Sequence, residues 1–526
     1  MKFLNAEQIR NLDKRMIQER KGAGMILMNR AGLAVAQVIA QLATVRNEHR
    51  RVTFVAGKGN NGGDALVAAR HLSESGWHVG VLMTCLPAKL EGDAYEAWND
   101  LHAAGIVHQV LADVRDWEDA ACDGKVTARL PITGIIVDGL LGTGSEGAPH
   151  GVAAAAIRWI RSAHKRAVVV AIDIPSGVDA DTGAVADDAV TADLTVTFAY
   201  PKVGFLNPAA QCCLGHVVVA DIGIQETIGA DAERESDERI QLIAAPELNR
   251  LLPIRPEFAH KRLFGHIGVI AGARGYSGAP ALTVTGALRA GAGLITAAVP
   301  PESMSALATH APEAMAYPLD APDGVITVGA LERWGRSLDD FDCIAMGPGM
   351  TAADTTRDVV QWVLDRYDGR VVLDADALNV LPRVTLRKPE RLILTPHPGE
   401  AARLLGLTPA AVQADRLGAV IALAARFGGT VVLKGASTLV CEAAGDPWIT
   451  FTGNPGMATG GSGDVLTGII AAMAARPMAA LDAARLGVWL HGAAGDFAMW
   501  RESQEALTAL DITRSLSHAF AMLRNA

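Results

Sequence analysis

The chain has 526 residues, of which 50% are apolar and 20% charged; this is a globular balance in a chain too long for one ordinary core, and about two to four domains are expected. Lys and Arg number 47 against 57 Asp and Glu, a formal charge of −10, so no broad basic surface is available to follow a phosphate backbone and nucleic acid is excluded as an expected partner. The cysteines form no C-x-x-C pair and read as free thiols, residues 1–20 carry charges throughout, and no apolar run approaches the ~20 residues that span a bilayer, so a cytoplasmic protein with no membrane partner is expected.

Asn5 with Gln8 reads as a capping box that opens an amphipathic helix carrying Ile9, Leu12, Met16 and Ile17. A second helix is expected from about Gly24 to Ala43. Arg51 to Gly57 reads as a buried strand and Asp64 to Leu72 as a helix, which leaves Lys58-Gly-Asn-Asn-Gly-Gly63 as the loop between them. In an open α/β sheet such a loop lies at the carboxyl ends of the strands, where ligands bind. It has neither the dinucleotide G-x-G-x-x-G nor the Walker Lys-Ser/Thr. Two later strands repeat the pattern: Gly134 to Asp138 runs into the glycine-rich turn Gly139 to Gly147, and Ala167 to Asp173 runs into Ile174-Pro-Ser-Gly177. Asp64, Asp138 and Asp173 are therefore expected at one edge, as a hard-oxygen site for an alkali or alkaline-earth cation. Strands at Asp193 to Phe198 and His216 to Asp221 follow. Between them Lys202 stands just past a strand end, either pairing with substrate phosphate or solvated.

Residues 226–240 break the alternation. Because 231–239 are charged and lack an apolar stripe, the segment is expected to be an exposed linker, or a solvated helix, between domains at 1–225 and 241–526. Strands then resume: Gly265 to Gly272 enters the loop Ala273 to Ala279, Cys343 to Met346 leads into Gly347-Pro-Gly349, and Val371 to Asp374 leads into Ala375 and Asp376. A second layered α/β domain is expected. His397 is fixed between two prolines after the strand Leu392 to Leu394, placed for substrate contact or as a plain surface turn. Lys434-Gly-Ala-Ser-Thr438 follows the strand Thr430 to Leu433 and offers a cation and hydroxyls to nucleotide phosphates. In Asn454-Pro-Gly-Met-Ala-Thr-Gly-Gly-Ser-Gly-Asp464, the glycines Gly460, Gly461 and Gly463 are expected to turn several N–H groups towards one anion. Val465, Leu466, Ile469, Ile470 and Met473 mark a helix beginning near Asp464, whose dipole adds to the same spot. Asp464 there suits a general base for an attacking hydroxyl, helix capping being the plainer reading. His491 reads as helix packing.

The 454–464 run, with Leu394-Thr-Pro-His-Pro-Gly-Glu400, Val432 to Thr438 and Thr452 to Gly456, resembles the ribokinase-like superfamily and, within it, the ADP/ATP-dependent NAD(P)H-hydrate dehydratases. Residues 1–225, with Asn60-Asn-Gly-Gly-Asp64 and Asp173-Ile-Pro-Ser-Gly177, resemble the NAD(P)H-hydrate epimerases. The resemblance implies an α/β chain of two domains. The first would be a Rossmann-like three-layer sandwich interconverting the R and S forms of NADHX and NADPHX; the second, a ribokinase-like domain, would dehydrate the S form. ADP is the phosphoryl donor that the fused arrangement implies, with ATP as the other candidate, and Mg2+ is implied beside it. Carried over residue by residue, the hydrate contacts are Asn60, Asn61, Gly62, Gly63, Asp64, Gly142, Thr143, Gly144, Ser145, Glu146, Gly147, Ala148 and Asp173 in the first domain, and Ala279, Gly349, His397 and Asp464 in the second. Potassium (K+) would be ligated by Asn61, Asp138 and Ser176. The nucleotide would lie on Lys434, Gly435, Ala436, Ser437, Thr438, Asn454, Gly460, Gly461, Ser462 and Gly463. Asp464 and Asp173 are the expected catalytic residues. Ala65 stands where the family usually has glycine; a single methyl on the first helical turn is expected to cost little, at most narrowing the substrate mouth. A homo-oligomer fits this reading. Its rival is a ribokinase-type small-molecule kinase fused to a non-catalytic nucleotide-binding domain.

Overall fold

The computed structural model describes every residue except 20, 21, 47, 48, 124–133, 146, 165 and 526, together with all side chains but those and 19 and 121–123. Glu146, among the expected hydrate contacts, lies outside the described residues. The chain divides into two compact units, Met1–Glu238 and Arg239–Ala526.

In the first unit the β-branched runs form seven strands: β1 (Arg51–Ala56), β2 (His78–Met83), β3 (Val107–Val110), β4 (Gly134–Gly139), β5 (Ala167–Ile172), β6 (Leu194–Phe198) and β7 (His216–Ala220). They pair in parallel in the order β3-β2-β1-β4-β5-β6-β7. The chain reverses direction across the sheet between β1 and β4, the switch point beyond whose carboxyl ends α/β proteins open a ligand crevice. The opening helix, Ala6–Glu19, has the expected capping box: Gln8 N–H donates to Asn5 Oδ1 at 2.8 Å and Asn5 N–H to Gln8 Oε1 at 2.9 Å. The next helix, Ala23–Arg46, is by length and composition apolar enough to cross a membrane, which corrects the reading that no apolar run is that long. Its small residues let it approach the helix Asn60–Glu74 closely, since a Cβ on Gly32 would come within 2.5 Å of Val67 Cγ1.

Residues 226–240 are not a plain exposed linker. Glu226–Glu235 is a helix whose Ile228 and Ala232 are buried with Leu4 and Leu12, and Ser236 Oγ donates to the Phe3 carbonyl at 2.7 Å. Two apolar residues four apart make a stripe narrow enough to be hidden among charged neighbours.

The second unit has ten strands: β8 (Gln241–Leu242), β9 (His266–Ile270), β10 (Leu294–Val299), β11 (Met315–Pro318), β12 (Cys343–Met346), β13 (Arg370–Leu373), β14 (Leu392–Leu394), β15 (Thr430–Leu433), β16 (Leu439–Cys441) and β17 (Trp448–Ile449). Their order is β11-β10-β9-β12-β13-β14-β15-β16-β17-β8, parallel except where β16 meets its two neighbours. The helix Ser462–Ala474 is buried along nearly its whole length and crosses the helix Gly278–Arg289 so closely that a Cβ on Gly468 would lie 1.9 Å from the Thr283 carbonyl oxygen. Gly468→Ala should therefore force the two helices apart, at a cost of about 1–3 kcal/mol for overpacking. A thermal melt of the variant should show a lower transition, and an unshifted one would mean that the helices separate without penalty. Cys85, Cys212, Cys213, Cys343 and Cys441 are free thiols.

Candidate active sites

At the first crevice, the loop expected at 58–63 is shorter than its composition indicates. The helix Asn60–Glu74 starts with Gly59 as its N-cap, so Asn60 to Gly63 form its first turn and Asp64 follows them. The glycines allow this because the turn lies against the preceding chain: a Cβ on Gly62 would stand 2.0 Å from the Gly57 carbonyl oxygen. Asn61 is buried; its Nδ2 donates to the Leu141 carbonyl at 3.0 Å, while its Oδ1 has no partner among the described residues. Leu141 N–H donates to Ser176 Oγ at 3.0 Å, and Ser176 donates its hydroxyl to Asp138 Oδ1 at 2.7 Å and its N–H to Oδ2 at 2.8 Å. Asn61, Asp138 and Ser176 thus share one knot. Burial pushes Asp138 up to about 6 despite the donors from Ser176 and Leu140.

Asp173 follows β5 with φ 67°, an uncommon conformation for a residue with a side chain, and its carboxylate is held on both oxygens. Oδ2 accepts from Thr143 N–H at 3.1 Å and Thr143 Oγ1 at 2.6 Å; Oδ1 accepts from Lys202 Nζ, which also donates to Thr197 Oγ1 at 2.6 Å. Lys202 is wholly buried, so it is neither solvated nor free for a phosphate, correcting both readings. Burial raises Asp173, but the Lys202 charge and the bonds from Lys202 and Thr143 bring it below the usual carboxylate range. Asp64 goes the other way, well above that range, through burial and then the charges of Asp173 and Asp13. Asp13, from the opening helix, is pushed to about 6 by burial and Asp173.

The expected convergence of three aspartates is therefore divided. Asp64 and Asp173 gather with Asp13 around Lys202, while Asp138 bonds Ser176, and among the described residues no three His, Cys, Asp or Glu side chains are placed to hold a metal. Gly142, Ser145, Gly147 and Ala148 line a cavity of ≈ 270 Å³ together with Ile174, Pro175, Gly177 and Val178. Thr143 is not part of that lining and bonds Asp173 instead, Gly144 is exposed, and Asn60 is exposed at the helix head. Ala65 does not face the mouth. It is buried, and a Cβ on Gly139 would lie 2.6 Å from its methyl, so it packs on β4.

In the second unit, the helix expected to begin near Asp464 begins at Ser462. Of the three glycines only Gly461 takes a positive φ, 89°, as the N-cap; Gly460 does not, and Gly463 is already helical. The first-turn N–H groups, which lack helical partners, supply the donors expected of a glycine nest. Asp464 accepts no hydrogen bond from the described residues, so it is not a cap, and burial followed by the Asp374 charge pushes it up to about 7. Lys434 Nζ pairs with Asp374 Oδ1 at 2.6 Å and lies 3.9 Å from Glu400 Oε2, while Thr467 Oγ1 donates to Asp374 Oδ2 at 2.8 Å. The lysine is thus turned inward on a carboxylate. It still borders the helix start, since a Cβ on Gly463 would lie 3.3 Å from Nζ.

His397 caps the helix Pro398–Leu405: its Nδ1 accepts from Gly399 N–H at 3.0 Å, and Glu400 Oε2 accepts from His397 N–H at 2.8 Å. Burial, then Lys434 and Arg403, lower its pKa, and the half-exposed side chain places Nε2 3.5 Å from Glu400 Oε1. Ala279 and Gly349 are neighbours, a Cβ on Gly349 falling 3.1 Å from that of Ala279. Beyond β15, Gly435 and Ser437 take φ of 134° and 53°, Ala436 stands between them, and Thr438 Oγ1 donates to the Gly435 carbonyl at 3.0 Å. Asn454 Nδ2 donates to Asp496 Oδ1 at 3.0 Å. His491, buried and lowered to about 4 by desolvation, lies 3.0 Å from the Ser462 carbonyl through Nε2, so it braces the turn as well as packing its helix. Asp13 and Thr467 are the members of these clusters absent from the sequence reading, and Asp374 was read only as a strand end; the signal for Asp13 is a carboxylate inside the apolar stripe of Leu12 and Met16.

Residues 24–204 match the family model described as YjeF-related protein N-terminus, and residues 267–518 match the NAD(P)H-hydrate dehydratase model. A bifunctional NAD(P)H-hydrate repair enzyme Nnr of Moorella thermoacetica is 38% identical over 100% of this chain and 97% of its own length; another, of Thermofilum pendens, is 35% identical over 100% and 97%. The solved structure of an ADP/ATP-dependent NAD(P)H-hydrate dehydratase from Bacillus subtilis is similar at 29% identity and a TM-score of 0.48, covering 54% of this chain and 98% of that one. Matches to the repair enzymes run through both halves, which disfavours a kinase fused to an idle module, and the chain belongs to the family of bifunctional NAD(P)H-hydrate repair enzymes.

Proposed function

We propose that the first unit epimerises the R and S forms of NADHX and NADPHX at the Asp173 site, and that the second dehydrates the S form at the Asp464 site. The observation that carries this division is that each unit holds its own inward lysine on a strand-end carboxylate, Lys202 on Asp173 and Lys434 on Asp374. Each unit therefore has a complete charged site. We set the functional boundary near Glu238 rather than at 225, because the helix Glu226–Glu235 packs on Leu4 and Leu12.

Inverting a hydroxyl-bearing carbon requires a bond to it to break and re-form while a proton is carried off and returned. Asp173, held below the usual carboxylate range, and Asp64, held well above it, are a carboxyl pair with pKa values pushed apart, the arrangement that assigns base and acid. In the second unit the ring hydroxyl is a poor leaving group until it is phosphorylated. Asp464 takes the hydroxyl proton, the oxygen bonds the terminal phosphorus of ADP, and the bond to AMP breaks; phosphate then leaves with the C–O electrons as the adjacent carbon loses a proton. The helix's first-turn N–H groups, beginning at Gly463, would face the charge that develops, the Ser462 N–H being spent on the Thr459 carbonyl. Lys434 to Thr438, Asn454 and Gly460 to Gly463 form the nucleotide's bed, and Ala279, Gly349 and His397 the hydrate's.

Potassium fits the Asn61, Asp138 and Ser176 knot, because Asn61 Oδ1 is a buried acceptor with no partner among the described residues and the set is all oxygen. Bound there, it would supply fixed positive charge beside the dinucleotide. Exchanging potassium for tetramethylammonium should slow epimer exchange and leave dehydration of pure S hydrate unchanged; equal exchange rates in the two salts would remove the ion from this site. Magnesium fits as an ion carried by the nucleotide, which needs few protein donors: Asp374 is already committed to Lys434 and Thr467, while Asp464 accepts no hydrogen bond from the described residues. It would neutralise phosphate charge. The free thiols suit the cytoplasm.

Incubating mixed R and S hydrate with ADP or ATP, and following NADH absorbance, tests the whole reading. Conversion of the entire mixture is expected. A halt at the S half would remove the epimerase, and accumulation of a stable phosphorylated product would favour a kinase.

A further inference from the structure

The helix Ser462–Ala474 runs from the Asp464 site to the opposite edge of its sheet, where Ala475 meets Gly265 just before β9. Twelve residues at about 1.5 Å each separate Asp464 from Arg476 by roughly 18 Å. At this far edge lies a cavity of ≈ 820 Å³ whose lining includes Arg255, Arg289, Arg476 and Arg524, with Ile254 and Phe520, and no acidic residue. In a chain of net charge −10, that concentration of one sign is out of keeping with the rest of the surface.

Every hydrogen bond that these guanidiniums make among the described residues goes to a carbonyl oxygen, none to a carboxylate. Arg255 and Arg476 crowd one point, since a Cβ on Gly291 would lie 2.6 Å from Arg255 Nη2 and 3.1 Å from Arg476 Nη2. Arg476 is only 7% exposed, and its Nε is buried with no partner among the described residues. Burial, then Arg255 and Arg524, pull its pKa down to about 10, so the like charges are held together at a cost that an anion would relieve.

We infer that this cavity is a further ligand site, separate from the Asp464 site of the same unit, which takes a phosphate-bearing small molecule with its phosphate on the arginines and an aromatic part against Phe520. Guanidinium forks match phosphate oxygens in pairs, and the volume is that of a site for a nucleotide-sized ligand. The inference stands independently of which unit performs which reaction.

Calorimetric titration of the full chain with phenyl phosphate and with inorganic pyrophosphate tests it. Both should bind the wild type. The Arg255→Ser/Arg289→Ser double variant should bind each at least about tenfold more weakly, as expected from losing charge-assisted bonds, while still forming NADH from S hydrate and ADP at the wild-type rate. Phe520→Ala should weaken phenyl phosphate and spare pyrophosphate. Equal binding by wild type and the double variant would place the anions at the catalytic turn and overturn the proposal, as would no binding to the wild type. Indifference of phenyl phosphate to Phe520→Ala would overturn the aromatic part.

Discussion

Asp464→Asn should lower NADH formation from the S hydrate and ADP by about 10²–10⁴, the usual cost of removing a general base, while R-to-S exchange continues. The side chain is suited to the task by its surroundings. Burial and the Asp374 charge raise it to about 7, and no donor among the described residues ties it down, so near neutral pH it is both available and basic. It works only when ionised. In the wild type kcat/KM for dehydration should therefore fall as pH drops below about 7, and the variant should lose that limb. Stability has the opposite sign: a carboxyl whose folded pKa lies above its unfolded value of 3.8 favours folding while protonated, and loses that contribution as pH rises through about 7. The asparagine variant, having no charge to bury, should be at least as stable as the wild type above pH 7. If it instead stops both reactions while circular dichroism shows a folded protein, the two sites are one, and the division of labour fails.

The sheet strands and the strand-end turns were legible because buried parallel strands are short apolar runs closed by glycine or aspartate. Thr430 to Leu433, Leu392 to Leu394 and Cys343 to Met346 fall where their composition puts them. Helix starts were less legible. At Asn60 and Ser462 the helix begins inside a glycine-rich run, because helical N–H groups there point outward as well as any loop's would, and composition does not distinguish the two. Lys202 and Lys434 mark a further limit. A lysine past a strand end looks solvent-bound or phosphate-bound in sequence, yet both turn inward onto aspartates from other strand ends, Asp173 and Asp374, and such pairings are set by tertiary packing alone. The arginine cavity has no local signature either: Arg255, Arg289, Arg476 and Arg524 are far apart in the chain, only Arg289 and Arg524 lie on helices, and the four meet only when the unit packs.

Asp173→Asn should abolish epimer exchange and also destabilise the first unit, by about 3–5 kcal/mol, because it leaves the Lys202 charge buried without its partner. The stabilising contribution of the native carboxylate is present above its unfolded pKa and is lost as pH falls through the depressed folded value, so the difference between wild type and variant should narrow in acid. Loss of activity in an unstable variant is ambiguous, and Asp173→Leu with Lys202→Met resolves it. Removing both charges leaves no uncompensated ion, and such exchanges are often neutral for stability, so the double variant should recover most of the lost melting temperature. Its epimer exchange should stay absent, because the ionised carboxylate that Thr143 and Lys202 orient is gone. Supplied with a racemic hydrate and ADP, it should consume the S half at the wild-type rate and then stall, apart from slow spontaneous epimerisation. A stable double variant that converts the whole mixture as fast as the wild type would show that Asp173 and Lys202 hold the fold together and take no part in the chemistry.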